Sequence, residues 1–267
     1  MITRLTRADE PELRALLAAD PATYLFPISV LEERGIVSGQ AAFYGLREGG
    51  ALRAAVALVG KARQAVPIGG EPDLHRELGS ALRGKMLGAV GRRELVDALW
   101  EAGGDRAPWL NHAHRHYRIT AEEMGPWTAP LRPATTADLP QLLRNAAAMQ
   151  EEDFGRPPRD PDGFRERMAA RVAAGRYFVF EEQGEIAFQV ALGAVCSAGG
   201  QIEGVYTHPV LRGLGFASHG LGQLCRTQLA RLPRLTLTVN EANREAVALY
   251  RKLGFLPGAA FRMIRAD

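Results

Sequence analysis

The sequence predicts an α+β protein made of two tandem units, and three observations carry that reading. The first is a repeat. Thr6-Arg7-Ala8-Asp9-Glu10-Pro11-Glu12-Leu13 returns later as Thr135-Thr136-Ala137-Asp138-Leu139-Pro140-Gln141-Leu142, with five of the eight positions identical. The second is the alternation of helix-period and strand-period patterns through both halves, which points to a mixed sheet flanked by helices. The third is the run Met124-Gly125-Pro126-Trp127-Thr128-Ala129-Pro130, which interrupts every periodic pattern. It divides the chain into units 1–127 and 128–267, each the size of one α/β domain. Each copy of the repeat is also simply a good helix start, so duplication rests on the repeat and the length together.

In the first unit, Thr or Asp caps a helix over 11–19, and Pro11 sits in its first turn, where a missing N–H costs nothing. A second helix is expected over 24–33. Residues 40–44 and 52–59 alternate as strands around the turn at 47–50, and 64–68 forms a short strand before Gly69-Gly70. Helices over 74–82 and 93–102 flank a strand at 86–90, and 111–119 reads as a further strand. The second unit runs strand 131–134, helix 138–149, helix 162–174 ended by Gly175, and a hairpin of 177–181 with 186–191 about Gln183-Gly184. Strand 201–207, helix 215–231, strand 235–239, helix 243–253 and strand 259–264 complete it. The predicted order is βααβββαβαβ.

Bulk properties exclude several classes. A net charge of +3 with no basic run gives no electrostatic footprint for nucleic acid. No apolar run reaches the roughly 20 residues of a membrane span, and the charged N-terminus lacks a secretory apolar region. The two cysteines, Cys196 and Cys225, make no metal-ligand spacing and suggest a reducing compartment. The expected location is the cytoplasm.

The chemistry concentrates at Gly200–Ala217. A strand bearing Glu203 ends at Val205-Tyr206-Thr207. Then follows Arg212-Gly213-Leu214-Gly215-Phe216-Ala217, which fits R-x-x-G-x-A, and a helix begins. A diphosphate needs several backbone N–H donors aimed at one point, and a glycine turn feeding a helix N-terminus supplies them. Gly213 and Gly215 permit close approach. Alone, this stretch equally suits a ligand-free strand-to-helix turn. Downstream, however, stands Asn243-Arg244-Glu245-Ala246-Val247-Ala248-Leu249-Tyr250, closed by Gly254-Phe255.

The pair of motifs resembles the acetyl-CoA site of the GNAT N-acetyltransferase superfamily. The resemblance is strongest over 200–255, and the element order extends it across the second unit. Its implied fold is two tandem GNAT-like (acyl-CoA N-acyltransferase) domains, each a mixed, mostly antiparallel sheet. The layout resembles two-domain bacterial members whose first domain is degenerate, and 25–31 with Phe43-Tyr44-Gly45 is similar to theirs.

The resemblance implies roles. The strand with Glu203 would bulge and splay from the next strand, and the pantetheine of acetyl-CoA would pair with the backbone of Val205 and Thr207, beside Tyr206. Arg212, Gly213, Leu214, Gly215, Phe216, Ala217 and Ser218 would hold the pyrophosphate. Asn243 would bond the pantetheine or phosphate region, and Tyr250 would stand near the sulfur. A lysine-like amine of pKa about 10.4 is almost wholly protonated at neutral pH, so a base is needed. Glu203 is the candidate, directly or through water, although an exposed strand carboxylate reads the same way. Tyr250 is the candidate acid for the leaving thiolate, and a strand N–H at Val205 would meet the oxyanion.

The expected activity is acetyl transfer to a primary amine, of a small molecule or a peptide, by direct attack in a ternary complex. A catalytically silent CoA-binding sensor or scaffold is the alternative. The first unit has Gly69-Gly70-Glu71-Pro72-Asp73 where a phosphate loop would stand, and is expected to complete the sheet, shape the acceptor cleft or form a homodimer. His112, His114 and His116 alternate on one strand face, but no acidic ligand accompanies them, so no metal is expected. Glu151-Glu152-Asp153 follows the first helix of the second unit and suits either a solvated helix end or attraction of a cationic amine.

Overall fold

Neither half closes its own sheet. In the computed structural model, which describes every residue except 62, the first half runs β1 (Ile2–Arg4), α1 (Glu10–Ala18), α2 (Leu25–Arg34), β2 (Ala41–Glu48), β3 (Ala51–Val59), β4 (Gln64–Ile68), α3 (Pro72–Ala81), β5 (Gly88–Arg92), α4 (Arg93–Gly103) and β6 (Leu110–Ile119). The second runs β7 (Arg132–Pro133), α5 (Leu139–Phe154), α6 (Pro161–Ala173), β8 (Tyr177–Glu182), β9 (Glu185–Cys196), β10 (Gly199–Thr207), α7 (Phe216–Leu229), β11 (Leu235–Asn240), α8 (Arg244–Lys252) and β12 (Leu256–Arg265). Both halves therefore follow the order βααβββαβαβ.

The strands join one sheet in the order β1-β2-β3-β4-β5-β12-β6-β11-β10-β9-β8-β7. The last strand of each half is exchanged. β6 lies between β12 and β11, pairing Leu235 with Ile119 through Asn240 with His114. β12 lies between β5 and β6, pairing Phe261 with Arg92 on one side and His114 on the other. The exchange covers the central edge that each half would otherwise expose.

Four apolar clusters follow from strand alternation. Leu13, Leu17 and Ile28 of α1 and α2 pack on Phe43, Ala55 and Ala57, while Leu78 and Leu99 of α3 and α4 pack on Val56 and Ala54. In the second half, Leu142, Met168 and Val172 of α5 and α6 cover Val179 and Ala191. Leu221, Leu224 and Tyr250 of α7 and α8 cover Leu192, Ile202, Leu237 and Tyr117. Helices α1, α2, α5 and α6 thus share one face.

The repeated helix starts form as the sequence predicts. Asp9 accepts the Thr6 N–H at 2.8 Å, and Asp138 accepts the Thr135 N–H at 2.6 Å. An arginine reinforces each aspartate, Arg47 on Asp9 and Arg132 on Asp138. Several boundaries differ from expectation: β9 runs on to Cys196, β12 starts at Leu256, and the short β1 lies where no strand was expected. β2 continues to Glu48, so the turn is Gly49-Gly50, both at positive φ. Helix α5 continues to Phe154 because no breaker precedes Gly155, whose φ is 66°. Glu151, Glu152 and Asp153 therefore ride on its last turns rather than following it. No helix among the described residues is long and apolar enough to cross a membrane.

Candidate active site

β10 and β11 pair in parallel only at Gly200 with Leu235 and Gln201 with Thr236. Past those pairs their facing edges separate. The cause lies in β10. Between Glu203, opposite Ala191, and Tyr206, opposite Gln189, it carries one residue more than β9. Gly204 takes the kink at φ 62°, a conformation open to glycine at little cost. The result is a gap whose β10 wall includes Val205 and Thr207, while Tyr206 turns inward and is buried.

Beyond Thr207 the chain turns through Pro209–Leu211 and enters α7 through Gly213 and Gly215, at φ 80° and 90°. A side chain on Gly213 would meet nothing within 4 Å, so backbone conformation rather than crowding requires glycine there. The N–H groups of Gly213, Leu214, Gly215, Phe216, Ala217 and Ser218 donate to no acceptor among the described residues. They form a cluster of donors at the positive end of α7, the local structure a phosphate needs. Phe216 anchors the turn against Phe180 at 5.0 Å, and Ser218 is buried, while Leu214 projects into solvent. Arg212 is committed within the protein. Its Nε donates to the Thr207 carbonyl at 3.2 Å, and Nη2 donates to both oxygens of Glu152 on α5. It ties the loop to α5.

Asn243 caps α8, its Oδ1 accepting the Ala246 N–H at 3.0 Å. Two turns on, Tyr250 is 6% exposed and packs between Tyr117 and Phe255 at 6.2 and 5.8 Å. Burial, with the charge of Asp153 as a second cause, pushes its hydroxyl pKa well above the ordinary value. Asp153 itself is raised by crowding from the protein and by Glu152, although its side chain keeps a path to solvent; His112 opposes the shift. The last turn of α5 thus reaches the side of the gap where Tyr250 lies.

Glu203 points to the face of α5 and α6. Arg171 of α6 donates to its Oε2 at 2.9 Å, and Gln201 to its Oε1 at 3.3 Å. A Cβ on Gly193 would lie 2.1 Å from the carboxyl carbon, so glycine in β9 leaves the space the carboxylate fills. Beside it, Gln189 Nε2 donates to the Tyr177 hydroxyl at 3.0 Å, and the fully buried Gln189 leaves its Oε1 without a donor. Burial pushes Tyr177 up to about 12. Sequence reasoning missed Arg171, Tyr177, Gln189 and Gly193. Gln189, a polar residue inside the apolar run 186–192, was the one available signal.

The first half repeats this geometry without its chemistry. β4 and β5 pair in parallel at Gln64 with Gly88 and Ala65 with Ala89, matching the two β10–β11 pairs. Pro67 then stands where Glu203 stands, and β4 pairs with β3 without a bulge. Helix α3 opens with Glu71, Pro72 and Asp73, two carboxylates and a residue lacking an N–H where an anion would need donors.

Of the three alternating histidines, His114 and His116 are buried at the junction of the halves, and burial lowers each to about 4. His112 bonds Asn240 at 3.2 Å. No group of three or more metal-ligating side chains occurs among the described residues.

Residues 141–255 match the model of the acetyltransferase (GNAT) family. No curated protein matches the chain. Among solved structures, an acetyltransferase from the GNAT family of Colwellia psychrerythraea is similar over 100% of both chains, with 13% identity and a TM-score of 0.62. A GCN5-related N-acetyltransferase from Sphaerobacter thermophilus is similar over 99% of this chain and 94% of its own, at 18% identity and TM-score 0.66. A tandem GNAT protein from the clavulanic acid biosynthesis pathway is similar over 100% and 98%, at 14% identity and TM-score 0.53. The fold is therefore that of a tandem GNAT protein. The match to the acetyltransferase (GNAT) family lies within the second half of the chain.

Proposed function

We propose that this protein is an acetyl-CoA-dependent N-acetyltransferase acting on a primary amine by direct attack in a ternary complex. The observation that carries the reading is the coincidence, on one strand-turn-helix unit, of the splayed β10–β11 edge, the free N–H groups from Gly213 to Ser218, and Glu203 beside the gap. The N–H cluster would hold the pyrophosphate, and the exposed β10 edge at Val205 and Thr207 would pair with the pantetheine. When bound, the co-substrate supplies an acetyl thioester at the gap. Glu203 takes the proton of the incoming amine, directly or through water, and the Val205 N–H stabilises charge on the acetyl oxygen.

The state of Tyr250 refines its role. A hydroxyl pushed further above its ordinary value by burial stays protonated at every working pH. A free thiol has a pKa of about 8.5, below that of tyrosine, so complete proton transfer from Tyr250 to the thiolate runs uphill. Tyr250 acts instead as a hydrogen-bond donor to the sulfur as charge develops there.

Thiol release measured with acetyl-CoA and an amine panel tests the reading. Amine-dependent release that falls in Glu203→Gln supports it. Tight CoA binding with no transfer to any amine would make the protein a silent CoA-binding module instead.

A further inference from the structure

A second cavity, of about 60 Å³, lies between the halves on the face of α2 and α5. Its floor crosses five adjacent strands, from Arg92 on β5 through Phe261, His116 and Thr238 to Gln201 on β10. Tyr24 and Phe26 line it from the start of α2. Among the described residues no carboxylate lines it, and Arg92 is the one formally charged residue that does. At the opposite end, Gln201 donates to Glu203. A cation therefore stands at one end and a carboxylate just beyond the other.

We infer that this cavity binds an ω-amino carboxylate, with its carboxylate on Arg92 and Tyr24 and its amine directed toward Glu203. The inference rests on the transfer reading above, which places the reaction at Glu203. The Tyr24 hydroxyl already accepts the Gly69 N–H at 3.0 Å, so its own proton is free to donate, and Tyr24 is 96% buried, being 4% exposed. Arg92 currently gives Nε and Nη2 to Glu94, at 2.7 and 2.5 Å. Both partners of that pair are substantially exposed, so it binds weakly and a ligand carboxylate can share the guanidinium. His116 is neutral near pH 7 and, with Thr236 and Thr238, offers uncharged polar contacts along the floor.

Length follows from the sheet. Four strand spacings of about 4.8 Å separate the β5 and β10 backbones by roughly 19 Å, and the Arg92 and Glu203 side chains close only part of that. An α-amino acid, whose charges adjoin, cannot reach both. A chain of several methylenes can, and Tyr24, Phe26, Pro27 and Val66 give it apolar walls.

The test uses the full-length protein with acetyl-CoA and two matched series, ω-amino acids and n-alkylamines of three to eight carbons. Thiol release gives kcat and KM, and calorimetry of 6-aminohexanoate with the CoA-loaded protein gives binding. The expected result is a length optimum among the ω-amino acids and a kcat/KM advantage over the matched alkylamine on the order of 10- to 100-fold, the worth of a charged hydrogen bond. Arg92→Gln should remove most of that advantage through KM. Tyr24→Phe, which keeps the ring, should weaken binding by a smaller factor, and it serves if Arg92→Gln does not retain CoA binding. Equal use of alkylamines and ω-amino acids overturns the inference and leaves the transfer reading standing. Arg92-dependent binding without acetylation of any amine supports the cavity assignment and removes the transfer reading. Absence of both binding and turnover overturns the inference.

Discussion

Glu203 owes its orientation to a neighbour on its own strand and to residues on α6 and β9. Arg171 holds one oxygen, Gln201 the other, and the missing side chain of Gly193 makes room for both. Replacing Glu203 by Gln keeps the shape and removes the proposed base, and kcat should fall by about 10²- to 10⁴-fold, read from thiol release at saturating co-substrate. Gly193→Ala should act on the same carboxylate from behind, lowering kcat while CoA affinity, measured by calorimetry, holds. If Gly193→Ala turns over like the parent, the clamp is not what positions Glu203. For Tyr250→Phe, the loss of one hydrogen bond to a charged atom predicts a fall in kcat of about 10- to 100-fold. Because its hydroxyl remains protonated, Tyr250 should contribute no alkaline limb to the pH–rate profile below pH 10.

At the level of elements, the site is the seam between a bulged strand and a helix start. The bulge ends the β10–β11 ladder after two pairs, and the two positive-φ glycines aim free N–H groups along the axis of α7. Gly215→Ala must hold a Cβ at φ 90°, a strain of about 1–2 kcal/mol. The expected outcome is a lower melting temperature together with weaker CoA binding. An alanine variant that binds CoA as the parent does would show that this turn does not grip the pyrophosphate. In the first half, Pro67 and the acidic start of α3 explain in physical terms why a similar sheet opening lacks a similar grip.

Across the whole molecule, the exchange of β6 and β12 makes each half the other's missing edge. Residues 1–127 and 128–267 produced separately should each be insoluble or unfolded, and co-expression should recover a complex; a stable, monomeric isolated half would contradict this. Three buried histidines couple that structure to pH. His75, His114 and His116 are each lowered by burial to about 4, against about 6.5 in an unfolded chain. Above pH 6.5 both states are neutral and nothing is lost. As pH falls from 6.5 toward 4, the unfolded state takes up protons that the folded state refuses. Stability should then fall by up to about 1.4 kcal/mol per pH unit for each histidine. His114, whose two ring nitrogens lack partners, is the site to test. His114→Phe should flatten the slope of unfolding free energy against pH by about one proton, and an unchanged slope would assign the coupling elsewhere.

The amino-acid sequence by itself determined the order of elements in the second half and, apart from the short β1, in the first, together with the capped repeat, the glycine turn into α7 and the Asn243–Tyr250 helix. These depend on periodicity, capping and backbone permissiveness within about a dozen neighbouring residues. Tertiary structure alone decided that β6 and β12 change places, that Arg171 and Gly193 set Glu203, and that Arg92 and Gln201 bound one cavity. Those contacts join residues across the sheet, where no local preference distinguishes one partner strand from another, and only the packing of the complete chain selects among them.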